Sequence, residues 1–147
     1  MAPRRRLVAL VGPTASGKTN LAVEVAQSCT APVEILSLDS RQLYRGLDRG
    51  TGKPSAQQRR AVPHWLVDLL EPDQSFDAGR YRREVERLLP DLWKRGRVPL
   101  LVGGAGFYLR ALAEGFFELV GGDMFFQHLD HGFIVAVGSR GEPGGGS

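Results

Sequence analysis

The 147-residue chain has a single cysteine, Cys29, so no disulfide can form within it and an oxidising compartment is not indicated. A reducing cytoplasm is the expected setting. Long apolar runs are missing too. Leu7 to Val11 is far too short to span a bilayer and passes straight into glycine, so it reads as a buried strand and not as a signal peptide or membrane span. A strong charge of either sign is absent: 19 Lys and Arg against 16 Asp and Glu give +3, part of it in Arg4, Arg5 and Arg6. That excess tilts the surface only weakly toward polyanions. His128 and His131 are spaced like metal ligands, but no cysteine or third histidine accompanies them, so no metal cage is expected. With 42% hydrophobic and 24% charged residues, the chain fits one globular domain with a sizeable core, which excludes fibrous and wholly disordered classes.

Against these absences stands one dense signal, GPTASGKT, from Gly12 to Thr19. It matches G-x-x-x-x-G-K-[ST], in which the loop formed by Gly12, Pro13, Thr14, Ala15, Ser16 and Gly17 turns backbone N–H groups on a phosphate. Lys18 adds a point charge, and the Thr19 hydroxyl meets a magnesium ion. The motif follows an apolar strand and opens a helix, whose aligned N-terminal amides favour an anion. A phosphate group is implied by these residues; a nucleotide is not.

Helical spacing from Lys18 onward puts Ala22, Val25, Ala26 and Cys29 on one apolar stripe, and Pro32 ends it. Val33 to Leu38 reads as a second strand, completing a β-α-β unit that sets the two strand tips side by side and Asp39 next to the phosphate loop. Gly46, Gly50, Gly52 and Pro54 predict a loop, and Trp65 to Leu70 a short third strand. Ala78 to Arg95 is helical, with Tyr81, Val85, Leu88, Leu89 and Leu92 on one face, Ser75 or Asp77 as cap, and a kink or break at Pro90. Val98 to Val102 is again a buried strand, and Gly103-Gly104-Ala105-Gly106 leads into a helix from Phe107 to Ala113. The fold class is therefore α/β: a P-loop NTPase-like open, mostly parallel sheet with flanking helices, present as a partial core over residues 1–117. Residues 118–147 form an unassigned tail whose last ten, GSRGEPGGGS, read as flexible linker.

Asp39 is the second chemical candidate. A carboxylate at a strand tip beside a phosphate loop can coordinate magnesium through water or take a proton from a nucleophile; the plainer reading is a turn that caps the next segment. Arg41, Arg45 and Lys53 can contact diphosphate or nucleic acid, or stay solvated. His64, beside Trp65, reads as a packed residue with one nitrogen satisfied.

Four blocks in order, GPTASGKT, LDSRQLYRGLDRGTGKPS, VPHWLVDLLEP and RVPLLVGGAGFYLRAL, resemble the tRNA dimethylallyltransferase family over about Leu7 to Gly115. The resemblance implies a cytoplasmic, monomeric prenyltransferase with no membrane partner. Its phosphate loop holds dimethylallyl diphosphate, with magnesium as cofactor, instead of ATP. The dimethylallyl group passes to N6 of the adenosine at position 37, in the anticodon stem-loop of tRNA, after that base is everted. By the same resemblance Lys18 and Thr19 bind diphosphate and magnesium, and Asp39 receives the proton of the attacking amine. Thr14, Ser16, Ser40, Arg41, Gln42, Asp48, Thr51, Lys53 and Ala105 are the implied contacts to substrate and tRNA. Ala105 replaces the Thr or Ser usual in that glycine turn, which implies slower turnover through loss of a hydroxyl. Members of the family continue well beyond Gly115 into a helical insertion that grips tRNA, whereas the composition here shifts abruptly, as in an altered or truncated reading frame. Two other readings remain: a small kinase using ATP, and a diphosphate-binding fragment without turnover.

Overall fold

The computed structural model describes residues 5–12, 17–39, 41–46, 53–75, 78–104, 123–128 and 134–140. Strand β1 (Arg5–Val11) is followed by helix α1 (Lys18–Ser28), strand β2 (Val33–Leu38) and the short helix α2 (Ala56–Ala61). Then come the two-residue strand β3 (His64–Trp65), helix α3 (Ala78–Lys94) and strands β4 (Val98–Gly103), β5 (Asp123–His128) and β6 (Ile134–Arg140). One sheet holds all six strands in the order β3-β2-β4-β1-β6-β5. The first four run parallel, and β6 and β5 continue the sheet antiparallel.

The apolar runs of β1, β2 and β4 are continuous because both faces of the sheet are covered. Alternation sends Leu7, Ala9, Val11, Leu36, Leu38 and Leu101 to one side, against Tyr81, Val85, Leu88, Leu89 and Leu92 of α3. All five of those α3 positions are buried as the helical spacing predicts, and Trp93 joins them, donating its indole N–H to the Arg6 carbonyl at 2.7 Å. On the other side Leu10, Ile35, Leu100 and Val102 pack on α1. Full burial of each large aliphatic chain contributes roughly 1.5–3 kcal/mol, so the two clusters fix which face each helix takes.

Several expectations are corrected. Strands β1 and β2 are not neighbours; β4 pairs with both and lies between them, because the third crossover returns to the gap that the first leaves open. The third strand covers only His64 and Trp65, since Leu66 and Asp68 adopt left-handed backbone angles (φ 65° and 56°) that no strand can contain. On α1 the buried residues are Lys18, Ala22, Val23 and Ala26, while Val25 and Cys29 are exposed; the buried face keeps Ala22 and Ala26 of the expected stripe but is turned toward Val23. Helix α3 runs unbroken through Pro90, which stands on its exposed face, where the carbonyl left without a partner can turn to water. Gly138 to Arg140, in the stretch read as linker, lie in β6 opposite Leu7, Arg6 and Arg5. The helix expected from Phe107 to Ala113 falls outside the described residues.

Glu34 interrupts an apolar strand yet its side chain is only 3% exposed. It accepts from the Trp65 indole at 2.9 Å and from Arg95 at 3.0 Å, with Arg97 at 3.4 Å. A buried carboxylate persists only with such partners. Together they tie β2, β3 and the end of α3 at the sheet end opposite the phosphate loop.

Candidate functional site

The site gathers where β1, β4 and β2 end. The Gly12 amide donates to the Gly103 carbonyl at 3.2 Å, which holds the tips of β1 and β4 together. Five residues later the chain enters α1 through Gly17, at φ 82° and ψ 20°. A side chain there would be strained whatever the space around it, so glycine sets the angle at which the helix N-terminus faces the loop. Lys18, the first residue of α1, is 91% buried and turns its ammonium back to the Gly12 carbonyl, 3.0 Å away. Gly104 closes in from β4: a methyl group there would stand 3.8 Å from the Lys18 Nζ and 4.0 Å from the Gly12 oxygen.

Burial holds the Lys18 pKa below the ordinary lysine value; the Asp39 carboxylate acts against that and Arg41 adds to it. An ammonium kept in so little water gains more from an arriving anion than a solvated one does. Thr19 is the second residue of α1, half-buried in the first turn.

Asp39 follows the last residue of β2, its side chain 15% exposed. Its Oδ1 accepts from the Arg41 amide at 2.9 Å, and its carbonyl accepts from the Gln42 amide at 3.0 Å. This is a capped turn, the plainer of the two roles expected. A carboxylate has two oxygens, and the cap engages one, so the turn and a proton-accepting role are compatible. The Arg41 guanidinium lies 4.0 Å from the same oxygen.

Gln42 is held from both ends. The Ser37 hydroxyl, on the α1 side of β2, donates to its Oε1, and the Asp68 amide donates to its carbonyl at 2.9 Å. Tyr81 reaches across from α3 to donate its hydroxyl to the Ser37 carbonyl. Lys53 stands inside the protein, its side chain 7% exposed, bonded to the Tyr44 carbonyl and, at 2.6 Å, to Asp68 Oδ1. Arg45 is spread along the outside, on the Asp68 carbonyl and on Glu71.

The structure thus brings Gly12, Gly17, Lys18, Thr19 and Asp39 to one end of the sheet, with Arg41 and Gln42 in the adjoining turn. Pro13, Thr14, Ala15, Ser16, Ser40, Asp48, Thr51 and Ala105 lie outside the described residues. His64 bonds the Val62 carbonyl through Nδ1 at 2.7 Å while its Nε2 is buried with no hydrogen-bond partner among the described residues, and burial lowers its pKa. It is a packed histidine. Among the described residues no three His, Cys, Asp or Glu side chains gather as a metal cage.

Sequence reasoning missed Ser37, Asn20, Arg59, Asp68 and Tyr81. One of these contacts had a visible signal: Ser55-Ala56-Gln57-Gln58 is a capping box, with Gln58 accepting from the Ser55 amide at 2.8 Å and Ser55 from the Gln58 amide at 3.1 Å. The Gln58 side-chain Nε2 donates to the Asn20 Oδ1 in α1 at 2.6 Å, so α2 is fastened beside α1.

A family model described as IPP transferase matches residues 42–131, running on past Gly115. The tRNA dimethylallyltransferase of Anaeromyxobacter dehalogenans (strain 2CP-C) is 51% identical over 118 residues, covering 80% of this chain and 39% of that protein. That of Thermotoga petrophila is 47% identical over 117 residues, 79% of this chain and 38% of the relative. Among solved structures, the full-length tRNA isopentenylpyrophosphate transferase of Bacillus halodurans superposes with a TM-score of 0.66 at 40% identity, over 84% of this chain and 39% of that one. A eukaryotic dimethylallyltransferase solved acting on tRNA gives 0.62 at 28% identity, over 72% of this chain and 26% of its own. The chain spans about two fifths of the length of the curated relatives it matches.

Proposed function

The chain belongs to the IPP transferase family, whose matched members are tRNA dimethylallyltransferases, and on that premise we propose that it carries the diphosphate-binding and proton-accepting half of a tRNA prenyl-transfer site. The observation that supports this reading most is the Lys18 ammonium, buried at the joined tips of β1 and β4, with the Asp39 carboxylate near enough to act on its charge.

In this reading dimethylallyl diphosphate lies with its phosphates at the N-terminus of α1. The loop amides and Lys18 bind the diphosphate and stabilise the charge that grows on it as it leaves. The acceptor is N6 of an everted adenosine in a tRNA anticodon loop. As the nitrogen forms its bond to the first carbon of the dimethylallyl group, the bond from that carbon to the diphosphate oxygen breaks. The nitrogen's surplus proton goes to the Asp39 carboxylate. An exocyclic amine is a weak nucleophile, and a positioned carboxylate of this kind typically contributes about 10²–10⁴ in rate. Arg41 and Gln42, in the same turn, are the adjoining contacts for the base.

Magnesium fits the donor set: it is commonly held by one or two protein oxygens with substrate phosphates supplying others, and Thr19 offers a hydroxyl beside the loop. When bound, it would neutralise part of the diphosphate charge. The hydroxyl that Ala105 lacks makes transfer by this chain slower than by a chain with Thr or Ser at that position.

The test is purified chain with magnesium, labelled dimethylallyl diphosphate and an unmodified anticodon stem-loop RNA, compared with D39N. Binding of the diphosphate by both proteins, and prenylated RNA formed at least about a hundredfold faster by the wild type, is the expected result. Equal transfer by D39N, or no affinity for dimethylallyl diphosphate in the wild type, overturns the reading.

A further inference from the structure

The turn that carries Asp39 and Gln42 is held from outside by one residue, Asp68, to which neither the reaction chemistry nor the family resemblance gives a part. Asp68 makes four contacts in four directions. Its amide donates to the Gln42 carbonyl at 2.9 Å. Oδ1 accepts from Lys53 at 2.6 Å and Oδ2 from Arg59 at 2.8 Å, while its carbonyl accepts from Arg45 Nε at 2.9 Å. Lys53 in turn donates to the Tyr44 carbonyl, so Asp68 grips the chain at Gln42 and at Tyr44, on both sides of the fully buried Leu43. Beyond it the Leu70 amide donates to the Leu43 carbonyl at 2.8 Å and the Arg45 amide to the Leu70 carbonyl at 2.9 Å, continuing the clasp.

The backbone here is bent in a way the local sequence does not favour. Leu66 and Asp68 both sit at positive φ, 65° and 56°. Aspartate visits this region more readily than most residues, but at Leu66 such an angle persists only where the surroundings over-determine it, and such angles concentrate at sites where position matters. The bend at Leu66 buries its side chain in the cluster under α3. The bend at Asp68 turns its amide to Gln42 while its carboxylate meets Lys53, a cation whose side chain is only 7% exposed and which at that depth calls for an opposite charge.

We propose that Asp68 is a positioning residue for prenyl transfer: through the Gln42 main chain and Lys53 it fixes the Asp39–Gln42 turn where the acceptor base must meet the carboxylate. The proposal rests on the assignment of Asp39 as proton acceptor. The phosphate loop is reached by none of the four Asp68 contacts, so diphosphate affinity and base positioning are separable. Misplacing a reacting group by about 1 Å commonly lowers rate on the order of a hundredfold, which sets the size of the effect.

The test is D68N in the whole chain. Asparagine keeps the volume and tolerates positive φ, so the bend is retained while the charge facing Lys53 is removed. Three quantities are measured together: affinity for dimethylallyl diphosphate with magnesium, prenyl transfer to an anticodon stem-loop RNA, and the NMR signals of the Gln42 side-chain amide. Expected are diphosphate affinity within about twofold of wild type, kcat lower by about tenfold to a hundredfold at unchanged KM for the diphosphate, and displaced or broadened Gln42 signals. Gln42 signals at their wild-type positions, or kcat within twofold of wild type, overturn the proposal. If the wild type binds no dimethylallyl diphosphate, the assigned reaction fails on its own account, and the Gln42 signals alone then decide the positioning claim. Should D68N not fold, D68N/K53M removes both charges, a replacement that buried pairs tolerate well, and the same three outcomes apply to it.

Discussion

The two strand tips that meet at the site are held in opposite ways. After β1, the chain needs only local devices: Gly17 supplies a backbone angle, α1 supplies aligned amides, and Lys18 folds back six residues onto Gly12. After β2, the Asp39–Gln42 turn depends on partners far along the chain. Asp68, 26 residues after Gln42, binds its carbonyl, and Tyr81, 44 residues after Ser37, anchors the strand beneath it. A binding loop for a small, highly charged group can be written as a short motif, because backbone amides and one cation suffice. A surface that places a carboxylate against a base edge needs support from several elements, so its parts are scattered through the sequence.

The sharpest way to separate the two halves is to remove the charge of the first. Lys18→Ala takes away a charge-assisted contact of about 2–3 kcal/mol, on the order of a hundredfold in affinity for dimethylallyl diphosphate by calorimetry. The Lys18 ammonium bonds the Gly12 carbonyl, whereas the Asp39 turn is held through the Arg41 amide, Ser37 and Asp68, so the Gln42 amide signals should stay where they are in the same variant. If those signals move as much as in D68N, the two halves are one unit and the contrast drawn here collapses.

Gly17→Ala comes next in size. Among the described residues no atom lies within 4 Å of the added methyl, so the cost expected is conformational, about 1–2 kcal/mol for a left-handed angle. In a chain of this length that lowers Tm by roughly 2–8 °C. Gly17→Asn should recover part of the loss, since asparagine visits this region more readily than alanine. A fully retained Tm in the alanine variant would show that the entry to α1 is looser than the φ of 82° implies.

Legibility in the sequence follows the same division. The apolar runs of β1, β2 and β4, the buried face of α3 and the start of α1 behind Gly17 were all readable, because each rests on neighbouring residues and a fixed period. The order of strands was not: nothing in the first β-α-β unit says that β4 will be inserted between its two strands. Nor was the bend at Leu66 and Asp68, where PHWLVD reads as strand on propensity and tertiary contacts impose left-handed angles. Asp39 was legible as a carboxylate at a strand tip, but the residues that aim its turn, Ser37, Asp68 and Tyr81, carry no motif. Lys53 was expected as an exposed contact and is instead 7% exposed and paired with Asp68, a fact that depends on residues 15 positions away.

A smaller effect is expected at Gly104→Ala. The methyl would meet Lys18 Nζ at 3.8 Å and the Gly12 carbonyl at 4.0 Å, both ordinary contacts, so stability should change by no more than roughly 0.5 kcal/mol by thermal melts. On the proposed reading, in which the diphosphate binds Lys18, its affinity should fall severalfold, because the methyl crowds the Lys18 ammonium. A stability loss without an affinity loss would place the close approach in packing and not in binding.

The smallest effect is a pH dependence, and it belongs to the acceptor side. Burial raises the Asp68 carboxyl, but the hydrogen bonds and charges of Lys53 and Arg59 outweigh it and leave its pKa below the ordinary value. In the unfolded chain the same carboxyl titrates near its usual ~3.9. The stabilisation from this pairing is therefore complete above about pH 4 and is lost as pH falls through the lower, folded value. Because Asp68 is 31% exposed and Arg59 38%, solvent screening keeps the contribution modest. Thermal melts of wild type and D68N should differ at pH 7 and converge in strong acid, once the wild-type carboxyl is also protonated. A Tm gap that stays constant down through that range would mean that D68N acts through packing and backbone shape alone, and that the charge on Asp68 has no share in holding the turn.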